Sequence, residues 1–260
     1  MVAHDLGAGS DRAMERARQL AGQWQLPLLV VHALPRSPEP PAAAMERIRN
    51  LLGGELPGAG IRVEEGDPVE VILRVAVRER CDLVVLGGEN AMADGTAQSV
   101  LDRSPVSTLV ARQRPRGAYR RVMVGTDLTP ESRHGLEVAA AAFPLADFTL
   151  VHALDIPYES LWLAPSRSAG LLRMEQESID AFAAGAALEP ELRSRMQRVV
   201  EHAHPEAALR ERALANDHDL VVIGAFRRGI ASRMLAGGTT RRIVRMVPAD
   251  VLVVRAPAAG

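Results

Sequence analysis

Paired aspartates, glycines and histidines are the residues through which this chain could do chemistry. Asp5 and Asp127 each follow a short apolar run, Gly87 and Gly224 each end one, and His32 and His152 each lie inside one. At such a place a carboxylate either meets a ligand or caps the helix that follows. A glycine either serves a turn that needs positive φ or lets backbone amides approach an anion. His32 and His152 have no cysteine or carboxylate at ligand spacing, so they read as structural histidines rather than metal ligands. His202 and His204, just before Pro205, read as a surface loop, and Asp67 before Pro68 reads as a helix cap. Gly-x-Ser-x-Gly, a lysine-bearing phosphate loop and His-Glu-x-x-His are all missing. The chain contains no lysine, which excludes Schiff-base chemistry. These residues predict a protein that binds rather than a dedicated enzyme.

Composition narrows the class further. The chain has 260 residues, 47% of them apolar, with a formal net charge of -1. That is a globular composition without the basic footprint of a nucleic-acid binder. Aromatic residues make up 3%, too few for base-stacking platforms. The single cysteine, Cys81, precedes the run Leu83–Leu86 and reads as a buried, inert thiol. Asp5, Asp11 and Glu15 interrupt any signal-peptide core, and no apolar stretch reaches the roughly 20 residues of a membrane helix. The expectation is a soluble, cytoplasmic protein with neither nucleic acid nor membrane as partner.

The elements that must position these residues come in two copies. Val30-Val31-His32-Ala33-Leu34 returns as Leu150-Val151-His152-Ala153-Leu154, and Asp82-Leu83-Val84-Val85-Leu86-Gly87 as Asp219-Leu220-Val221-Val222-Ile223-Gly224. The segment from Pro105 to Arg112 returns from Pro248 to Arg255, and Val2-Ala3-His4-Asp5 matches Val124-Gly125-Thr126-Asp127. The offset between matches grows along the chain, so the second copy carries insertions. The polar, Pro- and Gly-bearing stretch around 113–118 separates the copies, placing the domains at 1–114 and 118–260.

Within each copy, short β-branched runs alternate with helical stretches. Ser10–Gln23 predicts a helix opened by a Ser or Asp cap, Val69–Arg80 a helix after Pro68, and Glu206–Ala215 its equivalent after Pro205. The segments 36–41 and 157–170 look irregular, and Trp162 in the latter fills core or covers a pocket or interface. This alternation predicts an α/β fold of two tandem, doubly wound, parallel five-stranded sheets flanked by helices, Rossmann-like in arrangement. Ligands then bind outside the carboxyl ends of the strands. Only Met1–His4 precede Asp5, so the first strand is short or the chain lacks a few natural residues.

This ordered series resembles the universal stress protein domain twice over, within the adenine-nucleotide hydrolase-like group. The resemblance covers nearly the full length and implies a tandem, UspA-like stress-response module. It implies an adenine nucleotide, ATP or AMP with Mg²⁺, as ligand. Nucleotide-binding members carry Gly-x2-Gly-x9-Gly-Ser/Thr after the fourth strand. In the second copy that pattern falls on Gly224, Arg227 (in place of glycine), Gly229 (two residues late), Gly237, Gly238 and Thr239, with Arg228 and Arg233 nearby. Asp127 and Val151 would meet the adenosine. In the first copy the same positions are Asp5, Val31, Gly87, Gly95 and Thr96. There the stretch from Gly87 to Pro105 is six residues shorter than its counterpart, and it carries Glu89 and Asp94. A triphosphate cradle is therefore expected in the second copy rather than the first. The resemblance also implies that the copies pair within the chain, through Leu109-Val110-Ala111 and Leu252-Val253-Val254, with a homodimer as a further state. Slow ATP hydrolysis in the second copy is the alternative to a purely regulatory role.

Overall fold

The computed structural model describes residues 1–34, 40–51, 59–88, 95–154, 165–225 and 237–256. The chain divides into two units, Met1–Ala118 and Tyr119–Gly260.

The first unit runs β1 (Val2–Ala3), α1 (Ala8–Trp24), β2 (Leu29–Leu34), α2 (Pro41–Leu51), β3 (Gly60–Glu65), α3 (Pro68–Arg78), β4 (Leu83–Gly87), α4 (Thr96–Arg103), β5 (Ser107–Ala111). Its strands are parallel, in the order β3-β2-β1-β4-β5. Val84, Val85 and Leu86 are consecutive and all buried, as a strand covered on both faces requires. Helix α3 shows why these residues fold as they do. The Asp67 carboxylate accepts hydrogen bonds from the Val69 and Glu70 amides at 3.0 and 3.1 Å, as its position before Pro68 predicts. Pro68 starts the helix with its φ already set. Val69, Ile72 and Ala76 then bury one stripe against Val84, Leu86, Ala97 and Val100. Each large aliphatic side chain so buried stabilises the fold by roughly 1.5–3 kcal/mol.

The second unit runs β6 (Arg121–Thr126), α5 (Pro130–Ala142), β7 (Asp147–Ala153), α6 (Pro165–Ala184), α7 (Pro190–Arg195), β8 (Gln197–Glu201), α8 (Pro205–Ala215), β9 (Leu220–Ala225), α9 (Gly237–Met246), β10 (Asp250–Arg255). The order β10-β9-β6-β7-β8, again parallel, repeats that of the first unit. Two described helices stand between β7 and β8 where one stands between β2 and β3, which accounts for part of the growing offset. Tyr119 begins the unit buried, its hydroxyl donating to Asp250 at 2.5 Å and its ring edge-on to Phe143 at 5.3 Å.

Several boundaries differ from the sequence expectation. Helix α1 begins at Ala8 with Gly7 at its N-cap and no side-chain cap bond, not at Ser10. Ser10 lies buried inside the first turn instead, its hydroxyl accepting from the Asp5 amide at 3.2 Å. The segment expected to be irregular to Gly170 is helical from Pro165, and Trp162 lies outside the described residues. Cys81 is half-buried, and burial pushes its thiol pKa up, which fits an inert thiol.

The two strand-end glycines have a common cause. Neither adopts positive φ, so the turn reading is corrected. A Cβ on Gly87 would lie 2.6 Å from the Gly9 carbonyl oxygen. One on Gly224 would lie 2.1 Å from the Glu131 oxygen and 2.7 Å from Ser132 Cα. In both units the first turn of the first helix rests directly on the end of the fourth strand. These neighbours are backbone and cannot swing aside. Gly224→Ala is therefore expected to cost about 1–3 kcal/mol or more, seen as a lower urea midpoint. Gly170→Ala, where an added Cβ meets nothing within 4 Å, should leave the midpoint unchanged or raise it.

Candidate functional site

In each unit the strand order reverses beside the first strand, between β1 and β4 and between β6 and β9. The crevice at the carboxyl ends of these strands is where a doubly wound sheet binds ligands.

In the first unit the turn after β1 is built from side chains. Leu6 sits in the left-handed region at φ 66°. Its amide donates to His4 Nδ1 at 3.0 Å, and the Gly7 amide donates to Asp5 Oδ1 at 2.7 Å. Because Nδ1 of His4 accepts, the neutral ring carries its proton on Nε2, 3.3 Å from Asp11 Oδ1. The His4 carbonyl accepts from His32 Nδ1 at 2.7 Å. The second unit repeats the construction. Leu128 has φ 62°, and its amide donates to Thr126 Oγ1 at 2.9 Å. Thr126 and Ser132 hydroxyls share a 2.8 Å bond, and the Thr126 carbonyl accepts from His152 Nδ1 at 2.9 Å. The paired histidines thus tie the end of the first strand to the second, the structural role their sequence context predicts. His152 Nε2 also lies 3.5 Å from Glu175.

Neither aspartate caps its helix directly, which corrects that reading. Asp5 binds the amide of Gly7, the N-cap residue. Asp127 Oδ1 accepts from the amide and hydroxyl of Thr129 at 3.2 and 2.5 Å, and Thr129 in turn caps α5. Burial pushes the Asp5 carboxyl up, but hydrogen bonds from Ser10 and Gly7 and the nearby His4 ring outweigh it and hold the group below the usual carboxylate range.

A cavity of about 180 Å³ opens in the first unit between these strand ends and the starts of α3 and α4. Asp5, Val31, Gly87 and Thr96 line it together with His4 and Ser10. Gly95, at φ 75°, is the N-cap of α4 and makes no side-chain cap bond. The first-copy candidates are therefore brought together. The sequence marked Ser10 only as a helix cap and His4 only as part of the repeat, although their repeat partners Thr126 and Ser132 stand at equivalent positions.

In the second unit, Asp127, Val151 and Gly224 lie at the carboxyl ends of the neighbouring strands β6, β7 and β9. Gly237 and Gly238 open α9. Thr239 is the third residue of α9, so it does not open the helix as Thr96 opens α4. Its hydroxyl accepts from Arg242 at 3.2 Å, and Arg242 also donates to Glu206 at 2.6 Å. Arg227, Gly229, Arg228 and Arg233 lie outside the described residues. One difference between the units stands out. Where Asp67 caps α3, exposed His204 stands at the start of α8 and makes no side-chain cap bond. Among the described residues, no group of three or more His, Cys, Asp or Glu side chains is placed to hold a metal ion.

Each unit is thus a doubly wound α/β domain with its crevice at the strand-order reversal. The chain belongs to the universal stress protein family, whose model matches it twice, over residues 1–112 and 118–255. Among solved structures it is similar to a Pseudomonas aeruginosa protein assigned to the universal stress proteins, at 17% identity and a TM-score of 0.71, covering 98% of this chain and 92% of that one. It is also similar to a universal stress protein from Archaeoglobus fulgidus, at 17% identity and a TM-score of 0.65, covering 98% and 97%. At that identity the likeness speaks for the fold. No curated protein matches the chain in sequence. Among the described residues, no helix is long and apolar enough to cross a membrane.

The His4 turn predicts an acid-sensitive fold. Burial pushes the His4 pKa below its ordinary value, against the raising effect of Asp11. Burial acts in the same direction on His218. Below about pH 6.5 the unfolded chain takes up protons that the folded chain still refuses. Stability should therefore fall as pH drops below about 6.5, and level off once folded His4 is protonated. His4→Thr, which installs the second unit's acceptor, should flatten the decline in urea midpoint between pH 7.5 and pH 5.5. An undiminished decline in that variant would assign it to other groups.

Proposed function

We propose that the chain is a non-catalytic tandem binding module of the stress response that seats an adenine nucleotide, ATP or AMP, in its second copy. The observation that carries this is the placement of Asp127 and Val151 at neighbouring strand ends, in a unit whose α9 opens on Gly237-Gly238 with no acidic residue in its first turn. Unsatisfied amides at a helix start attract anions, and side-chain-free residues let phosphate oxygens approach them. In this reading Asp127 takes ribose hydroxyls and Val151 lies against the base. Thr239 extends the seat toward the phosphates, and the family's sequence pattern assigns Arg227 and Gly229 to the phosphate loop. Mg²⁺, a hard cation, would be held in this reading by the phosphate oxygens. The pairing of the two copies within one chain belongs to the same reading, and the mass of the full chain in solution separates it from a homodimer.

Calorimetric titration of the full chain with ATP and Mg²⁺, and with AMP, tests the seat. Binding is expected, with Asp127→Ala weakening it about tenfold or more, as loss of a charged hydrogen bond does. No heat and no thermal shift at millimolar nucleotide would end the proposal. Phosphate release above background in the same samples would replace the regulatory reading with slow ATP hydrolysis.

A further inference from the structure

We infer that a cavity at the amino ends of the first unit's strands binds a small uncharged aromatic compound bearing a hydroxyl or N–H donor, in the place where the second unit packs aromatic rings of its own. The site lies at the opposite end of the sheet from the strand-end crevices and does not rest on what they hold.

Among the described residues, a cavity of about 340 Å³ opens beside the amino ends of β2 and β4. That volume lies within the roughly 300–1,000 Å³ of small-molecule pockets. Leu20, Ala21 and Trp24 of α1 line one side, and Leu29, Leu83 and Val85 of the strands line the other. Walls of this kind favour an uncharged occupant, because burying an ionised group against them is costly.

The repeat says what shape is missing. Helices α1 and α5 are in register: Ala8 opens one and Pro130 the other, and the carbonyls of Gly9 and Glu131 rest on the two strand-end glycines. Thirteen residues on from each start, Ala21 stands in α1 where Phe143 stands at the end of α5. Phe143 and Tyr119 are both buried there, their rings edge-on at 5.3 Å. Ala21, only half-buried, borders open space instead. A void beside apolar side chains forfeits dispersion contacts that a bound ring would restore.

One group at the mouth says what the ring must carry. Asp82 lines the cavity just before β4. Its counterpart Asp219 accepts from the Arg120 and Arg121 amides at 2.9 and 3.2 Å. Among the described residues the Asp82 carboxylate accepts no hydrogen bond. The nearby Met1 ammonium donates to the Leu83 carbonyl at 2.9 Å instead. Glu79, the other carboxylate in the lining, is already held by Arg62 and Arg78. A carboxylate only accepts, so the ligand must donate. A ring among the leucines with its donor at the mouth matches a phenol, apolar in body and polar at one tip.

4-Methylphenol and toluene are the ring portions of the tyrosine and phenylalanine side chains and differ by the hydroxyl. Trp162→Phe leaves Trp24, in the cavity wall, as the sole tryptophan. Titrating the full chain with that substitution should give a saturable change in Trp24 fluorescence with 4-methylphenol, matched by heat in calorimetry. Asp82→Ala should weaken 4-methylphenol about tenfold and leave toluene unchanged. Ala21→Phe, which installs the second unit's ring, should abolish binding of both probes and leave the urea midpoint unchanged or higher. Ala21→Leu, a smaller filling, carries the same test where Ala21→Phe folds poorly. Nucleotide binding, present or absent, should be the same in every variant. No saturable signal at millimolar 4-methylphenol, or binding that persists in both Ala21 variants, would overturn the inference. A lowered urea midpoint in both Ala21 variants would overturn it too, because the space would then already be filled.

Discussion

Both crevices depend on one steric constraint, the contact of a helix backbone with the end of a strand. The first turn of α1 lies on Gly87 and that of α5 on Gly224, closer than any Cβ would permit. To bring the helix there, the chain must turn sharply after the first strand, and it does so through Leu6 and Leu128 in the left-handed region. A residue with a Cβ pays roughly 1–2 kcal/mol for that conformation. The turn is held by an acceptor two residues earlier, by the aspartate between, and by a serine within the helix. The histidine of the neighbouring strand then grips the carbonyl at the end of the first strand. The strand ends and helix starts that border each crevice are hung on this backbone frame.

A frame built from backbone contacts tolerates different side chains in its lining. The acceptor of the left-handed amide is an imidazole in one unit and a hydroxyl in the other. The start of the helix after the third strand carries Asp67 in one and His204 in the other. Neither exchange alters the order of the strands. The exchanges do alter charge and titration: the first unit gains a buried histidine and a second carboxylate at its crevice. Asymmetry between the copies therefore lies in the lining, while the sheets remain equivalent.

The parallel, doubly wound class and most strands were legible in the sequence, because strands buried on both faces appear as unbroken apolar runs and the repeat shows each run twice. Asp67 before Pro68 announced its cap for a local reason, since an N-cap bond involves only residues two or three apart. What was not legible depended on distant backbone. Ser10 looks like a helix cap by type, yet the helix starts earlier because the Asp5–Gly7 turn sets its origin. Gly87 looks like a turn or phosphate glycine by type, yet the group that excludes a side chain there is the carbonyl of Gly9, far away in sequence. His4 looked like part of a short first strand, and only its contacts with Leu6, Asp11 and His32 make it part of the site.

This changes what the glycines can be asked to prove. Gly87 and Gly224 would be needed for packing in a domain that bound nothing, so their presence does not distinguish a nucleotide seat from a bare scaffold. The residues that do distinguish are those the scaffold leaves free to vary: the side chain at the start of α3 or α8, and the first turn of α4 or α9. In the first unit the former is a carboxylate already bonded to the first amides of α3. In the second unit His204 makes no such bond, and α9 opens on two glycines. The physical difference between the two crevices thus lies at these helix starts: Asp67 caps α3 with its carboxylate, while α8 has His204 at its N-cap and buried Glu206, held by Arg242, in its first turn.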